Sequence, residues 1–400
     1  MKKRIVASMI ACAMAFGLVA CSSGGTTSAP AASSAASTEA APAEAASTAE
    51  AEASTAEAEA STEAAPAESG ETMYIPVMAK GFQHQFWQAV KAGSDAAAAD
   101  LGVEIYFDGP ASETEIDAQV NMVKTEMAKN PKAMALAALS TEAVTEILEE
   151  CAEKNIPVIG FDSGVPDDTS GAVKATASTN NQAAAAIAAE KFGENETVVA
   201  AMENATPENP IVIACISQDA VSESVTGRTT GFVDKMAEIA ETYQPGLVSI
   251  EGHTKWEKKV DGAAIIIHVE ISATTEATSV QTSANTVLNM NGITAVFCSN
   301  EGVVTGFLAA VSDGEDLADG GKYGDLVVAG FDAGAAQKNA IRQGWFYGSV
   351  TQDPYSIGYN AVEMAYKAAN GEAVSDVDTG AKWYNADNID DEDIALLVYD

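Results

Sequence analysis

Two aspartates in matching sequence contexts are the first candidates for chemistry in this chain. Asp162 lies in Pro-Val-Ile-Gly-Phe-Asp-Ser-Gly, and Asp332 lies in the similar stretch Val-Val-Ala-Gly-Phe-Asp-Ala-Gly. Each apolar run is typical of a strand buried on both faces of a parallel sheet, and the glycines favour a sharp turn at its end. Because ligands bind beyond the carboxyl ends of such strands, the repeat predicts one carboxylate from each of two similar lobes at a ligand site. The alternative is that each aspartate only caps the following helix or stabilises a turn.

Three further polar side chains are predicted near strand ends or at the start of a helix. Arg228 is one of two arginines after residue 70, and it falls where the helix dipole disfavours a cation by about 0.3–1 kcal/mol. Its guanidinium offers a fixed fork of donors, although a surface ion pair is the alternative. Asn300 and Gln352 each follow a predicted strand, and Asn300 could instead cap the next helix. Their amides both donate and accept hydrogen bonds.

The segment from Lys80 to Trp87 adds aromatic rings to this set. Phe86 and Trp87 open a predicted helix. Both could be core residues, but consecutive helical residues point about 100° apart, so we expect at least one ring to face the cleft. Lys80 and His84 are further candidates, with ordinary solvation in a loop as the alternative. Groups that both donate and accept, beside an aromatic plane, are what the recognition of a sugar ring requires.

A sheet whose strands end at one edge is needed to bring these residues together. After residue 70, short apolar segments alternate with helix-like segments, which predicts parallel strands with right-handed crossovers. One series runs over residues 73–192 and a second over 211–351. The region 251–290 fits less well and is predicted to be an insertion carrying a strand and a helix. The length of about 330 residues also predicts two lobes.

The first 20 residues are predicted to be a secretory signal. Basic residues at positions 2–4 precede an apolar run from Ile5 to Ala20, which is shorter than the roughly 20 residues that span a bilayer. The run ends in Leu-Val-Ala before Cys21, which resembles the lipobox of bacterial lipoproteins. We therefore expect lipidation of Cys21 and anchoring at the outer face of the cell membrane; an ordinary signal beside a chance cysteine is the alternative.

Residues 21–70 are predicted to be a disordered tether that begins with the lipidated cysteine. This stretch consists almost entirely of Ala, Ser, Thr, Glu and Pro and contains no aromatic residue, so it cannot build a core. Removing its eight glutamates and the three basic residues of the leader from the net charge of −37 leaves −32 on the remainder. Such a charge repels phosphates and excludes nucleic acid as a partner.

Neither a metal site nor a cofactor is predicted. Three cysteines, Cys151, Cys215 and Cys298, remain after the tether without a paired spacing, and we interpret them as buried, inert thiols. The acidic stretch 313–325 lacks the alternating ligands of an EF-hand loop, so we interpret it as a solvated loop.

With these motifs in place, residues 73–400 resemble the ribose-type family of substrate-binding proteins of bacterial ABC transporters, which share their fold with the effector domains of LacI-type repressors. The resemblance implies an α/β fold of two similar lobes, each a parallel β-sheet flanked by helices, joined by a hinge with three crossovers. It implies an N-terminal lobe of residues 73–178 and 353–380, and a C-terminal lobe of residues 179–352 and 381–400.

The resemblance also assigns sugar-binding positions. These fall on Lys80, His84, Phe86, Trp87, Asp162, Arg228, Asn300, Asp332 and Gln352. Ser163 departs from the pattern, because ribose binders carry a second arginine at that position. Trp256 is the candidate for a third aromatic contact, although the surrounding segment aligns poorly.

The implied function is that of an extracytoplasmic solute-binding protein of an ABC importer, a monomer and not an enzyme. It would bind a neutral monosaccharide or similar polyol between the lobes and deliver it to a membrane permease. A ligand-sensing receptor without transport is one alternative. A glycoside hydrolase that uses Asp162 and Asp332 as acid and base is another. A repressor is disfavoured, because the leader stands where its DNA-binding domain would be.

Overall fold

The computed structural model describes residues 72–399. The predicted leader and tether, with the candidate lipidation site Cys21, lie outside the described residues. Within 72–399, none of the helices is long and apolar enough to cross a membrane.

The first sheet has six strands that all pair in parallel, in the spatial order β12-β5-β4-β3-β1-β2. The strands are β1 (Tyr74–Met78), β2 (Glu104–Asp108), β3 (Met134–Leu136), β4 (Val158–Phe161), β5 (Val173–Ser178) and β12 (Val377–Asp378). The helices that cover this sheet are α1 (Gln85–Leu101), α2 (Ile116–Met127), α3 (Thr145–Glu153) and α10 (Pro354–Ala369). We call this unit the first lobe.

Both faces of the first sheet are buried, as the apolar strands predict. Ile75 and Val77 of β1 pack with α1 and α10, whereas Met78 packs on the other face with α2 and α3. Successive residues of a strand point to opposite faces, so a strand covered on both sides has to be apolar throughout.

The second sheet has seven strands in the order β13-β11-β10-β9-β6-β8-β7, and among them only the pair of β11 and β13 is antiparallel. Its strands are β6 (Ile211–Ser217), β7 (Val248–Glu251), β8 (Ile265–Ile271), β9 (Ile293–Cys298), β10 (Val327–Phe331), β11 (Gly348–Gln352) and β13 (Ala381–Tyr384). Its helices are α4 (Asn181–Glu194), α5 (Glu196–Asn204), α6 (Glu223–Tyr243), α7 (Ala277–Leu288), α8 (Glu301–Ala310), α9 (Ala335–Arg342) and α11 (Glu392–Ala395), and a 3-10 helix spans Ser312–Leu317. We call this unit the second lobe.

The predicted α/β fold with two parallel-sheet lobes is confirmed, and the chain passes between the sheets three times, within 178–181, 352–354 and 378–381. The elements α5, α9, α10, α11, β12 and β13 were not predicted. The lobe boundaries inferred from the sequence stay a prediction at the level of single residues.

The interpretation of 251–290 as an insertion is wrong. Strand β8 lies inside the second sheet, paired in parallel with β6 on one side and β7 on the other. Helix α7 packs on α8, and Val280 lies so close to Gly306 that a side chain at that glycine would collide with it. The segment is therefore an integral strand and crossover helix. A strand's own residue pattern does not say which strands it pairs with, which is why the sequence misled here.

Candidate functional site

A small hollow between the two lobes collects the candidate residues. It is lined by Lys80, His84, Phe86, Trp87, Glu113, Asp162, Ser224, Val225, Arg228, Asn300, Asp332 and Gln352. All nine ligand-binding candidates are in this set. The hollow has a volume of about 20 Å³, enough for about one water molecule. The lobes are therefore closed on each other, and a larger guest requires them or the lining side chains to move apart.

The two repeated aspartates face each other across this hollow from positions directly after their strands. Asp162 follows β4 and Asp332 follows β10, with φ angles of 54° and 77°. This left-handed conformation is tolerated by aspartate better than by most residues other than glycine. Each residue is only 4% exposed.

Asp332 is held by hydrogen bonds within the second lobe. Its Oδ2 accepts from the backbone N–H of Glu301 at 2.9 Å, and its Oδ1 accepts from the side-chain amide of Gln352 at 2.7 Å. Asp332 therefore caps α8 rather than α9, the following helix that the alternative interpretation named, and it also lines the hollow.

Asp162 lies between two cations. Lys80 Nζ and Arg228 Nη2 are both 4.0 Å from its carboxylate oxygens. Burial raises the pKa of Asp162 to about 6, although these cations lower it. The charge of Asp162 is therefore sensitive to pH a little below neutrality.

Arg228 contacts several residues around the hollow. Its Nε donates to Asn181 Oδ1 at 2.9 Å, its Nη1 donates to the carbonyl of Ser299 at 3.2 Å, and Nη1 lies 3.5 Å from Asp332 Oδ2. The guanidinium stacks over the ring of Phe331 at 3.9 Å from its centroid. With 3% exposure it is a buried residue, so the surface ion pair considered from the sequence is wrong.

Phe86 and Trp87 form an aromatic corner at one side of the hollow. Their rings meet edge to face, with centroids 5.0 Å apart and an interplanar angle of 82°. Both rings line the hollow while they also pack into the core of the first lobe. Such a corner offers an apolar plane to a ring-shaped guest.

The amide side chains of Asn300 and Gln352 form hydrogen bonds with neighbouring groups of the protein. Asn300 Oδ1 accepts from Val303 N–H, so Asn300 caps α8, while its Nδ2 donates to Gln218 Oε1 at 2.6 Å. Gln352 Oε1 accepts from the hydroxyl of Thr179 at 2.9 Å. A ligand that enters would exchange some of these hydrogen bonds for its own.

Three helices that begin at the interface are capped by side chains of the opposite lobe. Glu301 of α8 accepts from the N–H groups at the start of α1, and Ser163 Oγ accepts from the first two N–H groups of α6 at 3.1 and 3.4 Å. Gln85 Oε1 accepts from the N–H of Ala335, the first residue of α9. Within residues 72–399 the N-cap residues of these helices make no side-chain cap of their own. Serine at 163 thus has a structural use, because a short hydroxyl reaches both N–H groups.

Sequence reasoning missed several residues at or beside the hollow: Glu113, Asn181, Gln218 and Glu301. Gln218 directly follows β6, so the rule applied to the other strand ends would have found it. Glu113 lies in the loop between β2 and α2, and Glu301 opens α8; no local pattern separates them from the many exposed glutamates of this acidic chain.

Trp256 does not line the hollow. Its indole N–H donates to Thr230 Oγ1 at 2.9 Å on α6, and its ring packs on the core of the second lobe. Residues 72–399 contain no cluster of His, Cys, Asp or Glu that could hold a metal ion. The three cysteines of this part of the chain are buried, and burial raises the pKa of Cys151 to about 11.

Comparison with known proteins places this architecture among binding proteins. Residues 75–373 match the family model described as periplasmic binding protein domain. The D-allose-binding periplasmic protein of Escherichia coli is 24% identical over 78% of this chain and 90% of its own length. A solved structure from Brachyspira murdochii, titled ABC transporter, LacI family transcriptional regulator, is 41% identical, covers 82% of this chain and 99% of its own, and gives a TM-score of 0.68. A carbohydrate transporter solute-binding protein from Agrobacterium radiobacter, solved with D-arabinose, is 26% identical over 83% of this chain and all of its own, with a TM-score of 0.67.

Proposed function

Since the chain belongs to the periplasmic binding protein domain family, we propose that it binds a monosaccharide or similar polyol between its lobes and delivers it to the permease of an ABC importer. The observation that carries the proposal is the hollow itself, in which Asp162, Arg228 and Asp332 meet the aromatic corner of Phe86 and Trp87. Relatives of 24% and 26% identity are named for D-allose or were solved with D-arabinose.

The chemistry of the hollow fits hydroxyl groups. A sugar hydroxyl donates to one group and accepts from another, and the lining offers carboxylates that accept, cations that donate and amides that do both. The apolar C–H faces of a sugar ring match the plane of an indole or phenyl ring. Both kinds of contact are present within one small volume.

Binding and closure are coupled in the proposed mechanism. The aromatic corner and Asp162 belong to the first lobe, whereas Arg228, Asn300 and Asp332 belong to the second, so a guest meets all of them only when the lobes are together. A ligand that binds the closed form better shifts the population towards it. The permease would then recognise the closed shape and receive the sugar.

Binding rather than hydrolysis is favoured by how Asp332 is held. Its two oxygens accept from a helix N-terminus and from Gln352, and Arg228 lies beside it. A carboxylate engaged in this way is poorly placed to activate water or to donate a proton. Release of monosaccharide from an oligosaccharide by the purified protein would contradict this choice.

Anchoring through Cys21 at the outer face of the cell membrane and a monomeric state are further parts of the proposal. They derive from the leader sequence and from the family resemblance. Mass spectrometry of the mature N-terminus would test the anchor, since lipidation leaves a diacylglyceryl-modified Cys21, and an unmodified N-terminus elsewhere would exclude it.

A thermal-shift screen tests the central claim. Ligands of the native state stabilise by mass action, by about 2.7 kcal/mol at a concentration of 100 times Kd. We expect a raised Tm with one or a few members of a panel of pentoses, hexoses and inositols, and calorimetry would then measure the affinity. Nucleosides and amino acids are screened alongside, and a rise in Tm with these alone would overturn the assignment to sugars.

A further inference from the structure

Glu113 is a buried carboxylate of the hollow that lies neither at a strand end nor at the start of a helix. It lies in the loop between β2 and α2, lines the hollow, and its side chain is 3% exposed. A buried carboxylate costs several kcal/mol in lost hydration unless other groups replace the water. The groups that surround the Glu113 carboxylate therefore indicate its function.

Two neutral donors from opposite lobes fix the orientation of Glu113. The indole N–H of Trp87 donates to Oε1 at 2.8 Å, and the amide of Gln218 donates to Oε2 at 2.8 Å. Because Gln218 also accepts from Asn300, a chain of four side chains runs from the aromatic corner to the second lobe. Hydrogen bonds from both lobes thus fix the orientation of the Glu113 carboxylate.

Two basic groups face the same carboxylate from just beyond hydrogen-bonding distance. Lys80 Nζ lies 3.8 Å from Oε2, and His84 Nε2 lies 3.8 Å from Oε1. Among the residues that the structure describes, His84 Nε2 is buried without a hydrogen-bond partner. Burial raises the pKa of Glu113, but Lys80, His84 and the donated hydrogen bonds bring it below the ordinary value, so the group is an ionised acceptor at neutral pH.

These distances define a place for a hydroxyl group. A carboxylate has about four acceptor sites, of which Trp87 and Gln218 occupy two. A guest hydroxyl beside Glu113 would donate to the carboxylate and accept from Lys80 or His84, each of which now faces the carboxylate at 3.8 Å. Without that hydroxyl, the buried ring nitrogen of His84 has no hydrogen-bond partner among the described residues.

We propose that Glu113 is a further ligand-contacting residue of this site, which together with Lys80 and His84 selects sugars that carry a hydroxyl at the end of the ring beside Trp87. The proposal rests on the proposed sugar-binding function and deepens it. It makes the loop between β2 and α2 a determinant of specificity, in addition to the strand ends.

Calorimetry on matched variants tests this role. Glu113→Gln keeps the shape and removes the charge, and Glu104→Gln makes the same change at an exposed position of the adjacent strand β2. The probes are D-allose, D-arabinose and D-fucose, extended to the other pentoses and hexoses. We expect wild type and Glu104→Gln to bind with the same Kd, and Glu113→Gln to bind about 10- to 100-fold more weakly, as for the loss of a hydrogen bond to a charged group.

Monodeoxy analogues of the bound sugar separate a direct contact from a purely structural effect. The analogue that lacks the hydroxyl beside Glu113 should bind wild type 10- to 100-fold more weakly than the parent sugar does. It should bind Glu113→Gln less than threefold more weakly than the parent sugar does. Equal affinity of Glu113→Gln and wild type would overturn the role of Glu113 and leave the sugar-binding function intact. So would undiminished discrimination among all deoxy analogues by Glu113→Gln. If wild type binds no sugar at all, the proposed function fails, and this inference fails with it.

Discussion

The carboxylate of Glu301 accepts a hydrogen bond from the backbone N–H of Phe86 across the interface between the lobes, at 3.2 Å. Its other oxygen accepts from the N–H of Gln85 at 3.1 Å. Glu301 opens α8 in the second lobe, whereas Gln85 and Phe86 open α1 in the first. A carboxylate at a helix N-terminus satisfies unpaired donors and interacts favourably with the helix dipole. The backbone N–H of Glu301 in turn donates to Asp332. Glu301 therefore links the positions of Phe86 and Asp332 through hydrogen bonds.

Replacing Glu301 by Gln should weaken ligand binding by destabilising the closed form. A cap of this kind contributes about 0.5–2 kcal/mol, so the Kd for the bound sugar should rise roughly 2- to 30-fold. Calorimetry measures the change. Glu315→Gln, an exposed glutamate of the same lobe, is the control and should bind like wild type. An unchanged Kd in Glu301→Gln would mean that its contacts to α1 do not contribute to closure.

Truncation of Arg228 should weaken ligand binding more than Glu301→Gln does. Arg228→Ala leaves Asp162 and Asp332 facing each other without the guanidinium between them, which should cost on the order of 2–5 kcal/mol of binding free energy. Arg342→Ala is the matched control, because Arg342 is half exposed and pairs with Asp390 at the surface. Sugar titrations in which both variants bind alike would remove Arg228 from the site.

The stability of the ligand-free protein should depend on pH through Asp162. Burial raises the pKa of this carboxyl to about 6 in the folded chain, against an ordinary value of 3.8. The folded state therefore binds the proton more tightly than the unfolded state, and its contribution to stability is present at low pH and is lost as the pH rises through 6. This amounts to about 3 kcal/mol at most, by the conversion of pKa shifts to free energy.

Thermal melts of wild type and Asp162→Asn between pH 5 and pH 8 check this prediction. Tm should fall with rising pH more steeply in wild type than in the variant. Burial and the charge of Asp162 raise the pKa of Glu223 to about 7, so both proteins are compared in a Glu223→Gln background, where the difference between the curves isolates Asp162. Parallel curves would show that Asp162 titrates in the folded state as it does in the unfolded chain.

A close contact between α1 and α10 should make Gly358 intolerant of a side chain. A Cβ at this position would lie 1.9 Å from the carbonyl oxygen of Val90, so the two helices would have to separate. Gly358→Ala should destabilise the fold by about 1–3 kcal/mol and lower Tm by several degrees. Gly193→Ala is the control, because its new Cβ would meet only the side chain of Ile239 at 3.2 Å. A Tm for Gly358→Ala equal to that of the control would refute the tight packing.

Much of the site was predictable because strand ends carry a local signature. Three features can be recognised from the sequence: the repeat around Asp162 and Asp332, the rarity of arginine, and the adjacent aromatics. The structure brings these residues into one hollow. The prediction that failed concerned which strands pair with each other. The segment 251–290 contains a regular strand, but its place between β6 and β7 depends on hydrogen bonds to residues far along the chain.

The α/β class, the two lobes and the residue types available to a ligand follow from local sequence patterns, because apolar runs and turn residues act over a few neighbouring positions. Which glutamates contribute to the site depends on the folded arrangement. Glu113 and Glu301 are surrounded in the sequence by ordinary acidic positions, and they acquire a role only from Trp87, Gln218 and the start of α1, which are distant along the chain. Burial and pairing are properties of the folded arrangement, so the charges that the fold removes from water cannot be picked out from the many that it leaves exposed.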